Sequence, residues 1–117
     1  EEMPFINNKI TVPVDESKRE TLKAAYGEAI SVFGKTEEWV MVHIADDAEL
    51  FFGGKKLDKG AYVDVNLMGD IEDAAVLEYT KSVCKALADV LGIPGESVYV
   101  TFHNIPASHW GWNSQTF

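Results

Sequence analysis

The stretch FGKTEEWVMV, residues 33–42, joins the end of a helical pattern to an apolar strand through a glycine. The same arrangement returns 58 positions later, as Leu91-Gly92 followed after five residues by Val98-Tyr99-Val100. At this shift, the apolar start of the chain at residues 5–8 falls on residues 63–66. The order of features in each half is therefore strand, helix, glycine, turn and strand, which predicts two copies of a β-α-β unit.

Each half contains one helical segment with an apolar stripe at three- and four-residue spacing. The first helix is predicted over residues 15–33 and the second over residues 72–91. Gly34 and Gly92 follow these segments and suit the left-handed position after a helix end. Residues 17–20, Ser-Lys-Arg-Glu, are predicted to form a capping box at the start of the first helix.

The crossover in a β-α-β unit makes its two strands parallel and places both helices on one face of the sheet. The sequence thus predicts an α/β (α+β) fold, with a four-stranded mixed sheet and two helices on one face. Residues 39–44 and 98–102 are apolar at nearly every position, as in strands that are covered on both faces. Since two helices cover one face, the other face is predicted to meet another chain. Residues 51–54, FFGG, predict a short extra strand that ends in a turn.

Composition limits the class of protein. At 117 residues and 13.0 kDa, with 46% hydrophobic and 25% charged residues, the chain is typical of one soluble globular domain. Its net charge of −9 opposes nucleic-acid binding, which needs clustered Lys and Arg. No apolar stretch approaches the roughly 20 residues that cross a bilayer. The acidic amino terminus lacks the pattern of a secretory signal, so we expect cytoplasmic synthesis, with any secretion to the extracellular space by a non-classical route.

Neither a disulfide nor a metal site is predicted. Cys84 is the single cysteine, and its place in an apolar helical pattern indicates a small packed side chain. His103 and His109 have no Cys or acidic residue at ligand spacing. His43 lies within a strand pattern, where a hydrogen-bonded packing role is the ordinary case, so no metal and no cofactor are expected.

Five short motifs occur in order between Met3 and Phe117. They are Met3-Pro4, Gly34-Lys35, Phe52-Gly53-Gly54, Val98-Tyr99-Val100 and GWNSQTF at residues 111–117. With these motifs the chain resembles the macrophage migration inhibitory factor family of the tautomerase superfamily. The resemblance implies a homotrimer with active sites between neighbouring subunits. It also implies an isomerase that interconverts keto and enol forms of small aromatic acids, a phenylpyruvate tautomerase with L-dopachrome isomerase-type activity.

The resemblance also assigns the site. Pro4 corresponds to the family's amino-terminal proline, a secondary amine that acts as general base once it begins the chain. Lys35 corresponds to the lysine that grips the substrate carboxylate, and Tyr99 to an aromatic wall from the neighbouring subunit. The remaining predicted substrate-binding positions are Met68, Thr101 and Phe117. The family uses the backbone at the position of Met68, and the mammalian cytokine has asparagine at that of Thr101. Phe117 is predicted to form an aromatic wall together with Phe5, Trp110 and Trp112.

Two departures from the family pattern affect function. Residues 60–63, Gly-Ala-Tyr-Val, replace a Cys-x-x-Cys pair, so the associated thiol-disulfide activity is not expected. Glu1-Glu2-Met3 precede Pro4, and a proline nitrogen that is acylated has no basic lone pair. We interpret Met3 as the native start, Glu1-Glu2 as an expression or processing remnant, and residues 4–117 as the single domain. A form that retains residues 1–3 is expected to be inactive.

Two alternatives to the enzyme remain at this stage. One is a secreted, cytokine-like protein that binds a cell-surface receptor, with an incidental or blocked catalytic site. The other is a trimeric homologue without activity, favoured if Pro4 is naturally blocked. The enzyme hypothesis rests on Pro4 and Lys35, whereas the cytokine hypothesis has no residue of its own.

Overall fold

The structure is a computed structural model that describes residues 3–117, so the predicted remnant at Glu1 and Glu2 lies outside the described residues. It contains two helices, one main sheet and two short hairpins. Four single turns of 3-10 helix occur at Ile30–Phe33, Glu37–Trp39, Gly95–Ser97 and Ala107–His109. The elements are β1 (Phe5–Ile10), α1 (Glu16–Ala29), β2 (Met41–Ala45), β3 (Phe51–Phe52), β4 (Lys55–Lys56), β5 (Ala61–Met68), α2 (Asp73–Leu91), β6 (Val98–Ile105), β7 (Gly111–Trp112) and β8 (Gln115–Thr116).

The main sheet has the strand order β2-β1-β5-β6. β1 is parallel to β2, β5 is parallel to β6, and β1 and β5 are antiparallel at the centre. This topology confirms the two β-α-β units and the four-stranded mixed sheet predicted from the repeat. Hairpin β3-β4 confirms the extra strand at Phe51–Phe52, while β7-β8 near the carboxyl end was not predicted.

The start of α1 differs from the predicted capping box. Asp15 is the N-cap residue, and its carboxylate accepts a hydrogen bond of 2.9 Å from the backbone N–H of Lys18. Asp15 has the extended backbone of an N-cap, whereas Ser17 already lies inside the helix and its carbonyl accepts from the Thr21 hydroxyl. The capping box at residues 17–20 is therefore wrong, because an acid two residues earlier satisfies the first turn.

The predicted helix ends agree with the structure better than the predicted start of α1 does. α1 ends at Ala29 and continues as the tighter turn Ile30–Phe33, after which Gly34 is left-handed at φ 73°. α2 ends at Leu91, and Gly92 is left-handed at φ 68°. The N–H of Gly92 bonds to the carbonyl of Ala88, and both predicted glycine stops are confirmed. In the described part of the chain, no helix has the length and apolar character needed to cross a membrane.

The core lies between the two helices and one face of the sheet. Tyr79 from α2 donates a 3.0 Å hydrogen bond from its hydroxyl to the carbonyl of Tyr26 in α1, and burial raises the pKa of both phenols. Cys84 is half-buried against this core, and desolvation raises the pKa of its thiol, which favours the protonated form. The fully buried apolar side chains include Ile6, Ile10, Leu22, Tyr26, Ile30, Val63, Val65, Leu67, Tyr79, Val83, Leu87 and Ile93.

The sheet face away from the helices, here called the open face, is mixed in character. Tyr99 on β6 is 63% exposed and Met41 on β2 is 67% exposed, with polar side chains such as His103 beside them. The predicted apolar strand at residues 39–44 is corrected at its start. Trp39 belongs to the turn Glu37–Trp39, because the N–H of Val40 bonds back to the carbonyl of Glu37 and delays the strand until Met41.

Candidate active site

A cavity of about 720 Å³ opens at the end of the sheet where β1 begins. It contains side chains from β1, from the open face of β5, and from the segments that flank β2 and β7. Its lining residues are Met3, Pro4, Phe5, Asn7, Glu38, Trp39, Val40, Met41, Asp64, Asn66, Ile105, His109, Trp110, Gly111 and Trp112.

Pro4 is buried at the base of this cavity. Its carbonyl accepts a 3.0 Å hydrogen bond from the N–H of Met41, which fixes the start of β1 against β2. Met3 is 5% exposed and also lines the cavity. While Met3 is attached, the nitrogen of Pro4 is an amide, and the thioether side chain occupies space beside it.

Aromatic rings supply much of the cavity wall. Trp39 and Trp112 meet edge to face, with ring centroids 5.3 Å apart and an interplanar angle of 86°. The predicted walls Phe5, Trp110 and Trp112 all line the cavity, whereas Phe117 stacks behind Trp112 at 6.4 Å and does not. Trp39 was missed because the sequence placed it in a strand.

Lys35 and Met68 lie next to each other but outside the set of residues that line the cavity. Lys35 is only 5% exposed, and its Nζ donates to the carbonyl of Met68 over 3.4 Å. Met68 pairs in register with Ile105, which does line the cavity. This burial excludes a solvated loop lysine.

Tyr99 lies toward the other end of β6, whereas Thr101 pairs with Asp64, a residue that lines the cavity. Phe5, next to Pro4, pairs with Asn66, and Asn66 pairs with His103. Tyr99 is four residues before His103, about 13 Å along the strand at the usual rise. Within one chain Tyr99 therefore does not reach Pro4.

A second cavity of about 300 Å³ surrounds Tyr99 instead. The rings of Phe52 and Tyr99 are 5.2 Å apart, and Phe51 beside them is 63% exposed. An exposed aromatic group of this kind is typical of a surface that a partner covers.

The sequence also missed a polar row on the open face. Asp64 lines the Pro4 cavity, and its Oδ1 accepts a 2.8 Å hydrogen bond from the hydroxyl of Thr101. The Nε2 atom of His103 lies 3.0 Å from the same oxygen. The hydroxyls of Tyr62 and Thr101 are 2.7 Å apart. The row joins β5 to β6, so only the strand pairing brings these residues together.

The mixed sheet of two β-α-β units, with a proline buried immediately before its first strand, defines the class of α+β protein to which the chain belongs. The family model described as macrophage migration inhibitory factor (MIF) matches residues 3–117. The chain belongs to this family, which confirms the resemblance.

Relatives support the assignment over nearly the whole chain. Macrophage migration inhibitory factor of Meriones unguiculatus is 28% identical over 115 residues, which cover 98% of this chain and 99% of the relative. The protein of the same name from Xenopus tropicalis is 32% identical over 84 residues, 72% of each chain.

Solved structures agree with the fold. MIF2 of Leishmania major superposes with a TM-score of 0.90 at 33% identity, covering 98% of this chain and 97% of that one. The homologue from Prochlorococcus marinus gives a TM-score of 0.87 at 29% identity, covering 97% and 98% respectively.

Proposed function

We propose that the chain, in a form that begins at Pro4, is a keto–enol tautomerase of small aromatic keto acids. Phenylpyruvate is the proposed model substrate, and dopachrome isomerisation is the related activity. The burial of Pro4 at the base of an aromatic-lined cavity of about 720 Å³ carries this proposal. Family membership and the superfamily fold support an isomerase of this type.

The chemistry requires a base whose pKa lies near the working pH. A free α-amino group has an ordinary pKa of about 7.7–8.0, and a proline amine begins somewhat higher. Apolar walls such as Trp110 and Trp112 disfavour the charged form and so lower that pKa. The neutral amine of Pro4 then removes a proton from the carbon beside the keto group and returns it to the other end of the enol system.

Lys35 and Met68 are proposed to bind the acidic end of the substrate. The ammonium of Lys35 donates to the carbonyl of Met68, and Met68 pairs with Ile105, which lines the cavity. A small rotation of this long side chain would direct the ammonium to a substrate carboxylate, with which it would form a charge-assisted hydrogen bond.

The active form is proposed to be a homotrimer. Tyr99 lies far from Pro4 within one chain, while Tyr99 and Met41 are largely exposed. A neighbouring subunit that covers the open face would bring its own Tyr99 to the Pro4 cavity. Phe117, stacked on Trp112, would support the wall from behind.

The names of the relatives favour a second function, that of a cytokine-like factor which binds a cell-surface receptor. Such a role requires export from the cytoplasm, by a non-classical route in this proposal. It is compatible with the enzyme, since it uses the outer surface of the assembly and leaves the Pro4 cavity intact.

The amino terminus provides the direct test. A sample that begins at Pro4 and a sample that begins at Glu1 are prepared side by side, and phenylpyruvate ketonisation is followed on each. The first is expected to be active and the second inactive, because acylation removes the basic lone pair and Met3 fills part of the cavity. Equal activity of the two forms would show that Pro4 is not the base.

A further inference from the structure

The charged side chains of the Pro4 cavity are mainly acidic. Glu38 and Asp64 contribute two carboxylates, and among the described residues that line the cavity His109 has the one basic side chain. The chain as a whole carries a net charge of −9. A cleft lined by one sign of charge concentrates ligands of the opposite sign. The cavity therefore favours a cation, although the proposed keto acid substrate is an anion.

Of the two acids, Glu38 is the one that the protein leaves for a ligand. Oδ1 of Asp64 accepts a 2.8 Å hydrogen bond from the hydroxyl of Thr101 and lies 3.0 Å from Nε2 of His103. Within residues 3–117, the carboxylate of Glu38 forms neither an ion pair nor a hydrogen bond. Glu38 is exposed at the cavity wall, so its negative charge acts on whatever enters the cavity.

Trp39 keeps an aromatic face free of other rings. It follows Glu38 in the turn Glu37–Trp39, and both residues line the cavity. Within residues 3–117, the one ring contact of Trp39 is the edge-to-face pair with Trp112. Such a pair covers at most one face of either ring, so at least one face of Trp39 has no ring against it. Among aromatic side chains, tryptophan gives the strongest cation–π interaction.

The cavity is suited to an organic cation and not to a metal ion. Its volume is about 720 Å³, and Phe5 and Trp110 add apolar wall. Across residues 3–117, no group of three His, Cys, Asp or Glu side chains could hold a metal. An organic ammonium ion can use the carboxylate, the indole face and the apolar wall together.

We propose that the Pro4 cavity binds organic ammonium ions. The charged group of the ligand lies over Trp39 and against the carboxylate of Glu38, and its apolar part packs against Phe5 and Trp110. The inference goes beyond the proposed function, because this ligand has the opposite charge to a keto acid and needs no proton transfer at Pro4. The ligand occupies the aromatic cavity and so competes with phenylpyruvate.

The test compares phenethylammonium with 2-phenylethanol, which has the same aromatic skeleton without the charge. Binding to the form that begins at Pro4 is followed by quenching of the fluorescence of Trp39, Trp110 and Trp112. The ammonium compound is expected to bind about 10-fold more tightly than the alcohol at low salt. High salt should reduce this preference, because it screens exposed charges. Equal affinities at low salt would overturn the proposal.

Two variants locate the preference. Glu38→Gln keeps the length of the side chain and removes its charge, so the preference should fall to about 3-fold or less, the part that an indole face alone supplies. Trp39→Leu keeps an apolar wall and removes the aromatic face, and it should also reduce the preference. The other two tryptophans still report binding in this variant. A preference that is unchanged in either variant would contradict the assigned contacts.

Glu37→Gln is the matched control. Glu37 is the neighbouring acid in the same turn, it is exposed, and it is not among the residues that line the cavity. The substitution makes the same charge change one position away, and the preference for the ammonium compound should be retained. An equal loss in Glu37→Gln and Glu38→Gln would overturn the proposal, because it would show a general effect of charge and no contact at Glu38.

Competition separates failure of this inference from failure of the proposed function. Phenethylammonium should raise the KM for phenylpyruvate without changing kcat, and it should do so less in Glu38→Gln. If phenylpyruvate is turned over and the ammonium compound does not inhibit, this inference fails and the tautomerase proposal stands. If phenylpyruvate is not turned over, the tautomerase proposal fails, whereas a preference for the ammonium compound that depends on Glu38 still supports this inference.

Discussion

At the scale of single residues, Lys35 is unusual because a charged side chain is 5% exposed. Burial of an ammonium costs free energy unless the group is paired or hydrogen-bonded, and the Met68 carbonyl provides one acceptor at 3.4 Å. Met68 pairs with Ile105, which lines the cavity, and this neighbourhood is the reason we propose that Lys35 binds an anionic substrate group.

Replacement of Lys35 tests this role. Lys35→Met keeps the apolar stem and removes the charge, so we expect kcat/KM for phenylpyruvate to fall about 10- to 100-fold, as for a lost charge-assisted hydrogen bond. The measurement is steady-state kinetics on the form that begins at Pro4, with unfolding in urea to follow stability. Lys18→Met, on the exposed side of α1, is the control and should behave as the unmodified protein. Unchanged kinetics in Lys35→Met would exclude a substrate contact.

Single residues of the site were predictable only where a local motif marks them. Pro4 and Lys35 were found because each sits beside a fixed neighbour in the sequence, Met3 and Gly34. Asp64 carried no such signal, since its partners Thr101 and His103 lie about 40 residues away and meet it only through the parallel pairing of β5 with β6. The roles of Met68, Tyr99, Thr101 and Phe117 in substrate binding stay predictions.

At the scale of elements, the start of α1 depends on which side chain satisfies its first N–H groups. Asp15 accepts from Lys18, while Ser17 is an interior helical residue. Asp15→Ala is therefore expected to lower the free energy of unfolding by about 1 kcal/mol, the usual cost of a lost N-cap. Ser17→Ala should have a much smaller effect. Urea unfolding of both variants measures the difference, and the reverse order would restore the capping box at residues 17–20.

The elements were predictable in kind because each half repeats the same order of strand, helix and glycine. Both glycine stops needed the left-handed conformation, and they mark the helix ends correctly. The predicted element boundaries were less accurate where a local turn takes up the start of an apolar segment, as at Trp39. The carboxyl-terminal hairpin β7-β8 has strands of two residues each, too short for a periodicity to show.

At the scale of the whole molecule, one chain leaves several large apolar side chains exposed. Met41 and Tyr99 are each more than 60% exposed on the open face, and Phe51 is equally exposed beside the second cavity. Large apolar side chains exposed in this way often mark a surface that another chain covers. The apolar strands in the sequence indicated a partner chain, but the number of chains came from the family resemblance, because strand patterns do not specify how many subunits associate.

The homotrimer predicts that active sites are shared between chains, and this can be tested by mixing two inactive proteins. The first retains residues 1–3, so that Pro4 is blocked while Tyr99 is intact. The second begins at Pro4 and carries Tyr99→Ala, so that the base is intact but the wall offered to its neighbour is lost. After the two are unfolded and refolded together, mixed trimers place an intact Tyr99 beside a free Pro4, and phenylpyruvate ketonisation should return. Light scattering should give the mass of three 13.0 kDa chains for each protein and for the mixture.

The control replaces Tyr99→Ala with Lys35→Met in the chain that begins at Pro4. Lys35 is proposed to serve the Pro4 of its own chain, since it follows α1 and bonds to Met68 of the same subunit. A neighbour cannot supply it, so refolding this variant with the blocked chain should restore no activity beyond that of Lys35→Met alone. Recovery in both mixtures would contradict the assignment of Lys35 to its own subunit. Absence of recovery with Tyr99→Ala would contradict the shared site, and so would a mass near one chain at micromolar concentration. Within one chain, Tyr99 is about 13 Å along β6 from His103, so only a second subunit could bring a Tyr99 to Pro4.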